Sequence, residues 1–341
     1  MNKYHTIAGF FLLYCCNALS LDLSQYEDDV AALLREYQHN APSLAPSVLV
    51  LNQAEQEHTY VDFERGLIVV ESVNKASLKQ AVIQVLLTQI DPEVIDAKTA
   101  HDFGLINGKQ KPFFWGQVHD QDGHPIEFHW RAARFADYLI NQNLNQQSAT
   151  PAARFRVAIR MVNNHTQIAG NKYIEFVRQS ARTYGIKPDL IMAIMETESA
   201  FNPLAKSRSN ALGLMQIKAN TAGRDYFNLI KGYAHTPSAA YLYHPQKNIE
   251  VATGYLHLLS SRYLKGIDDP QKREYAVISS YNGGTGNLWK SLNPRGDRRQ
   301  ALVRINNMTR SEFYWFLTQR HIRQESRNYL KKVTSKRHKY L

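Results

Sequence analysis

Residues 187–217 read KPDLIMAIMETESAFNPLAKSRSNALGLMQI, and the first half of that stretch has the marks of a helix. Pro188 suits a first turn, where its missing N–H has no partner to lose, and Asp189 suits the positive end of the helix dipole. Asn202 precedes Pro203, which turns the chain out of helical geometry. Between these ends Ile191, Ile194, Met195 and Glu198 fall at i, i+3, i+4 and i+7, one face of a helix. That apolar stripe ends in a carboxylate. Glu196 lies roughly 200° around the helix from it, with Asp189 and Met192, and is expected to face water. A carboxylate among apolar residues loses hydration, and its pKa rises. Such a group keeps its proton near neutrality, as a general acid must. The same pattern also fits a structural Glu paired with a cation, and periodicity does not separate the two.

The 341 residues include 41 Lys and Arg against 30 Asp and Glu, a formal net charge of +11. That excess suits a polyanionic partner: nucleic acid, an anionic membrane surface or an acidic cell wall. The length allows two domains, and 44% hydrophobic residues are enough for packed cores.

Residues 1–20 read as a signal segment, with Lys3 followed by an apolar run from Ile7 to Tyr14 that is too short to span a bilayer. The only cysteines, Cys15 and Cys16, end this run, so the mature chain has no disulfide framework. Leu13 lies three residues before Cys16, the pattern of a lipidated bacterial cysteine, and Cys16 is the expected anchor. Cleavage after Ala18-Leu19-Ser20 is the alternative.

Residues 21–145 read as a small α+β domain. It has a polar, partly helical start, with Tyr26, Val30, Leu33 and Tyr37 on one stripe. Two paired strands follow about Arg65-Gly66, then a helix through Leu78, Val82, Val85, Leu86 and Ile90. A second hairpin is expected about Asp122-Gly123, and a helix from Ala132 to Leu144. Residues 146–165 read as a linker carrying a basic helix from Ala152 to Val162. Residues 166–341 are helical in pattern throughout.

Several tempting motifs carry nothing. Asp102-Phe103-Gly104 lacks the other kinase signatures. His119, His124 and His129 flank a turn without ligand spacing, so no metal or other cofactor is expected. Gly283, Gly284 and Gly286 have neither a preceding strand nor a following Lys-Ser/Thr. Arg295-Gly296-Asp297 is too short to mean anything, and the basic, aromatic tail has no nucleic-acid motif beside it.

Glu198-Ser199, Phe201-Asn202-Pro203, Ser207, Gly213-Leu214-Met215-Gln216, Thr221-Ala222 and Tyr281-Asn282-Gly283-Gly284 occur in this order. Together they resemble the lytic transglycosylases of the soluble type, relatives of goose-type lysozyme. The segment from Tyr60 to Leu144, with Phe114-Trp115-Gly116-Gln117-Val118 and Phe135-Ala136-Asp137-Tyr138-Leu139, resembles the N-terminal domain of a membrane-bound branch of that family. Ser280 stands where the family usually has Ala.

The resemblance implies a lysozyme-like all-α catalytic domain after the α+β domain, acting on peptidoglycan glycan strands, with no nucleic-acid partner. Glu198 would be the catalytic acid, and Tyr281 would hold its carboxyl. Ser199, Ser207, Met215, Gln216, Tyr243 and Asn282 would contact the sugars. No second acid occupies a motif position near Glu198. A lone acid suits a reaction in which the C6 hydroxyl of N-acetylmuramic acid closes on its own C1 and leaves a 1,6-anhydro end. The expected place is the periplasmic side of the outer membrane, held by the lipid, or else soluble in the periplasm. A lysozyme-type hydrolase and a non-enzymatic wall-binding protein are the alternatives.

Overall fold

Runs rich in Val, Ile and Leu come first, and they pair into one antiparallel sheet in the computed structural model, which describes residues 45–54, 57–89, 111–143 and 155–341. The cysteines, the stripe from Tyr26 to Tyr37, the Asp102 triplet and most of residues 141–151 lie outside those ranges. The strands are β1 (Val48–Ala54), β2 (Glu57–Asp62), β3 (Leu67–Ser72) and β4 (Phe155–Arg160), in that spatial order. Helices α1 (Lys75–Leu87) and α2 (His129–Asn143) come between β3 and β4 in sequence. Their Leu78, Val82, Ala132 and Phe135 share one core with Val61, Ile68, Val70, Val157 and Ile159 of the sheet.

The expected helix from Ala152 to Val162 is instead β4, paired with β3 from Leu67↔Arg160 to Ser72↔Phe155. Every residue of β3 is buried, so its backbone groups on the side away from β2 need a partner strand. Phe155 and Ile159 fit a helical spacing as well as an alternating one, and that unpaired edge decides between them. Glu71 and Arg156 form a buried ion pair across this seam.

The expected second hairpin is reduced to single bridges, Trp115 with Val118 and His119 with Pro125. Asp120 organises the turn instead. Its carboxylate accepts from the backbone N–H groups of Asp122 (3.0 Å) and His124 (2.9 Å) and pairs with Arg131 (2.5 Å). These contacts hold the Asp120 carboxyl below its usual pKa, against the opposing effect of desolvation.

The rest is helical: α3 (His165–Asn171), α4 (Ile174–Tyr184) and α5 (Pro188–Ser199), then a two-residue ribbon, β5 (Ala211–Leu212) with β6 (Ile217–Lys218). Helix α6 (Arg224–Tyr226) sits between two π turns, 219–223 and 227–231. After α7 (Ala239–Tyr243), α8 (Pro245–Leu258) runs on into a third π turn, 259–263. The last helices are α9 (Pro270–Gly283), α10 (Thr285–Leu292), α11 (Arg298–Asn307), α12 (Arg310–Gln319) and α13 (Gln324–Arg337).

Helix α13 packs on both α5 and α9. Its end covers the face of α5 that the sequence assigned to water. Glu196 is 3% exposed, pairs with Lys339 (2.7 Å) and accepts from the Tyr340 hydroxyl (2.8 Å). Arg337 pairs with Asp189 and with Glu274. One helix's period separates its two faces, but the rest of the chain decides which of them is covered.

Candidate active site

Helix α5 buries Ile191, Ile194 and Met195 completely, and Glu198 emerges half-buried at its end. Burial raises the Glu198 carboxyl from 4.5 to about 7. The Tyr329 hydroxyl donates to Glu198 Oε1 at 2.7 Å and opposes that rise, while the Glu325 charge adds to it. Burial keeps the Tyr329 hydroxyl well above its usual pKa, so it remains a donor.

The sequence assigned this contact to Tyr281. The Tyr281 hydroxyl donates to the Met215 carbonyl at 2.8 Å instead. Tyr281 is still close enough for the charge on Glu198 to raise its pKa, behind the larger effect of burial. So two tyrosines serve the site, Tyr329 on the acid and Tyr281 on the backbone beside it.

That backbone is under tension. Among the described residues, the non-glycine residues with positive φ are Ala200 (49°), Phe201 (66°), Asn210 (57°) and Gln216 (49°), all between α5 and β6. Left-handed backbone costs such residues about 1–3 kcal/mol each and persists where the surroundings impose it. Several contacts impose it here. Ala200 and Leu204 are packed into the core of the β1–β4 sheet, and Asn202 donates to the Pro46 carbonyl (2.9 Å). The Ser199 hydroxyl donates to Leu214 O (2.7 Å). Buried Asn248 accepts from Met215 N (2.9 Å) and donates to Leu212 O (2.9 Å) and Leu242 O (2.7 Å). The Gln216 amide donates to Gly213 O (2.9 Å) and Ala205 O (3.1 Å), and its own oxygen is buried without a partner among the described residues.

The expected sugar contacts therefore divide. Ser199, Met215 and Tyr243 are buried, and the Ser199 hydroxyl and the Met215 backbone tie the loop together. Ser207 and Asn282 are half-exposed, and Gln216 lies at the boundary of burial. Asn282 donates to Glu325 Oε1 (3.1 Å) and accepts from the Ser326 hydroxyl (2.9 Å). Glu325 is a second carboxylate in the neighbourhood, contrary to the lone acid read from the motifs. Its other oxygen is taken by Arg323 at 2.9 Å.

A carboxyl whose pKa burial raises to about 7, on a helical domain matched over residues 175–303 by the family model described as Transglycosylase SLT domain, marks a lytic transglycosylase. A second model, described as Membrane-bound lytic murein transglycosylase C, N-terminal domain, matches residues 47–172. Membrane-bound lytic murein transglycosylase C of Yersinia enterocolitica is 43% identical over 84% of this chain and 79% of its own. The same protein of Yersinia pestis is 42% identical over the same shares. The chain belongs to the membrane-bound lytic murein transglycosylase C family. A solved structure, the 70 kDa soluble lytic transglycosylase of Escherichia coli, aligns with a TM-score of 0.39 and 17% identity over 77% of this chain and 42% of that one. So slight a likeness supports nothing further.

Tyr329 and Glu325 escaped the sequence reading, and both lie beyond the matched catalytic domain. The signal for Tyr329 was nevertheless present. Ser326, Tyr329, Leu330 and Val333 form a buried stripe at i, i+3, i+4 and i+7, and its one hydroxyphenyl ring is the feature to notice. Removing this hydroxyl should raise the Glu198 pKa further, because the hydrogen bond favours the carboxylate. Tyr329→Phe is therefore expected to move the alkaline limb of the pH–rate profile upward and to lower kcat by about tenfold, the worth of one charge-assisted hydrogen bond. A profile that superimposes on wild type refutes the contact's role.

Proposed function

We propose that the chain cleaves the β-1,4 bond between N-acetylmuramic acid and N-acetylglucosamine in peptidoglycan and leaves a 1,6-anhydromuramoyl end, as part of cell-wall turnover and remodelling. The observation that carries this reading is Glu198, poised near pH 7 and held by Tyr329. Protonated, it gives its proton to the glycosidic oxygen as the bond to C1 breaks. As a carboxylate it then takes the proton of the C6 hydroxyl while that oxygen bonds to C1. The acid is regenerated, and no water is consumed. Acid–base assistance of this kind is worth about 10²–10⁴ in rate.

Water attack would need a base about 6.5–9.5 Å from the acid, and simple retention a nucleophilic carboxylate about 5–5.5 Å away. Glu325 is ill suited to either task, since Asn282 and Arg323 engage both of its oxygens. A hydroxyl already in the substrate needs no such group, because the step is intramolecular. Ser207, Gln216 and Asn282 are the residues assigned to the sugars on this reading. Mass spectrometry of released muropeptides is expected to show 1,6-anhydro ends that resist borohydride. Products mainly one water heavier, with reducible ends, would make the enzyme a lysozyme-type hydrolase.

Among the described residues no helix is long and apolar enough to cross a membrane. The proposed attachment is a lipid on Cys16, which places the enzyme on the periplasmic side of the outer membrane. Several acyl chains on one residue anchor stably where a single chain does not. A fatty-acid analogue should label the wild-type protein and fail to label the Cys15→Ser, Cys16→Ser double variant. Label persisting in the double variant sinks the proposal.

A further inference from the structure

Helices α11 and α12 each bury a narrow stripe and turn a large apolar side chain the other way. Helix α11 buries Ala301 and Ile305, and α12 buries Phe313, Phe316 and Leu317. Val303 and Trp315 each stand two residues past a member of those stripes, roughly 200° around the helix, so neither can join the core. They are 57% and 53% exposed, and they line one cleft together. Ile322, in the loop before α13, is also 53% exposed. Its N–H donates to the Ser291 hydroxyl (3.0 Å), one residue from the Leu292 carbonyl that receives Arg304 of α11 (2.8 Å). An indole and two branched aliphatic side chains thus share one side of the helical domain.

The ground between them is strongly basic. Residues 290–323 hold eight Lys and Arg against two acids, Asp297 and Glu312. Both acids are engaged at helix starts: Asp297 accepts from Gln300 N (3.0 Å) and Glu312 from Thr309 N (2.7 Å). The Arg320 guanidinium lies 5.6 Å from the centre of the Trp315 ring, and that of Arg304 lies 5.0 Å from the centre of the Phe316 ring. Arg299 borders Val303 along a second cleft. Arg310 and Arg323 have carboxylate partners, Asp269 and Glu325, whereas Arg299, Arg304 and Arg320 have none among the described residues.

Charge and apolarity together select the partner. An acidic polymer would satisfy the arginines but would leave Val303, Trp315 and Ile322 in water. A second copy would bring like charge against like. An anionic bilayer answers both needs, since indole rings favour the headgroup layer and basic residues beside it meet lipid phosphates. Apolar groups ringed by cations are the composition of surfaces that lie on membranes. We propose that the α11–α12 face docks on an anionic lipid bilayer, with Trp315, Val303 and Ile322 entering the headgroup layer and Arg299, Arg304 and Arg320 meeting the phosphates. This deepens the membrane attachment proposed above and rests on that reading for its place in the cell. Its consequence is orientation. Helix α12 packs on α13, which carries Tyr329 to Glu198, so a docked face sets the height and heading of the acid above the lipid.

The test uses the full chain as the Cys15→Ser, Cys16→Ser double variant, so that no acyl chain contributes. Cosedimentation is measured with vesicles of phosphatidylcholine alone and of phosphatidylcholine mixed with phosphatidylglycerol. The protein is expected to partition at least tenfold more strongly onto the anionic vesicles, and added salt should reduce that preference. In this background Trp315→Ser should weaken partitioning by about tenfold, and Arg299→Gln and Arg320→Gln by about fivefold each. The leader segment is the same in every variant, so its contribution cancels from the comparison. Vesicles of brominated phosphatidylglycerol should quench the tryptophan fluorescence, and Trp315→Phe should remove that quenching. Melting curves matching wild type establish that the variants are folded, and any one folded variant suffices. Equal partitioning onto both vesicles, or quenching that survives Trp315→Phe, overturns the proposal. So does anionic-vesicle binding that Trp315→Ser leaves unchanged, which would mark a basic surface without insertion. A dimer in sedimentation velocity that Trp315→Ser abolishes, with no vesicle bound, makes the face a contact between copies and also overturns it. Should Cys16 take no label while the Trp315 and Arg variants lose binding, the lipid anchor is wrong and the docking face stands. Label on Cys16 with variants that bind as wild type leaves the anchor and removes the face.

Discussion

Glu198→Gln should lose at least a hundredfold in activity on purified cell wall, the lower end of the roughly 10²–10⁴ that acid–base catalysis contributes. The substitution keeps the shape of the side chain and its acceptor for the Tyr329 hydroxyl, so the fold should survive. Stability supplies a second readout. The folded-state pKa of about 7 lies above the ordinary 4.5, so the folded protein binds the proton more tightly than the unfolded chain does. The resulting stabilisation is complete below pH 4.5 and is lost as pH rises through 7. At about 1.4 kcal/mol per pH unit, it amounts to roughly 3–4 kcal/mol. The variant, which has no proton to lose, should equal wild type at pH 4 and be the more stable by about that amount at pH 8–9. Urea titrations at both pH values check this. Parallel stabilities at the two pH values, or near-equal activities, would remove Glu198 from the role.

Gly213→Ala should be the most disruptive small substitution in the cleft. Gly213 has φ 73°, where alanine is strained by about 1–3 kcal/mol. Its Cβ would stand 2.4 Å from the Leu242 carbonyl oxygen and 2.5 Å from Asn248 Nδ2. The first is backbone, and the second belongs to a side chain with three hydrogen bonds, so neither can retreat cheaply. Overpacking adds about 1–3 kcal/mol more. The expected loss is about 2–6 kcal/mol in denaturant unfolding. Activity should fall with it, because Asn248 also fixes Met215, whose carbonyl receives Tyr281. A loss under 1 kcal/mol would show that this loop yields.

What could be read from the sequence was local. The α5 stripe, its Pro188 start and the glycines of the cleft each follow from a few neighbouring residues, and the structure places them together. One failure is local, the hairpin that Asp120 replaces with a capped turn; the others are long-range. The edge that turns Phe155–Arg160 into a strand belongs to residues 67–72. The cations that bury Glu196 come from residues 336–340. Tyr281 and Tyr329 both stand near Glu198, and a spacing rule has no means of assigning their hydroxyls. The left-handed turn at Gln216 leaves the Met215 carbonyl to be satisfied, and Tyr281 takes it.

Each of the three carboxylates on α5 is answered by a group far downstream: Glu198 by Tyr329, Glu196 by Lys339 and Asp189 by Arg337, at separations of 131, 143 and 148 residues. A chain growing from its amino end therefore makes its acid early and completes it late. Through all the intervening synthesis, α5 carries three acidic groups whose counterparts do not yet exist, and like charges on one helix repel. The hydroxyl that meets Glu198 therefore arrives only with α13, after residues 207–282 have already been made.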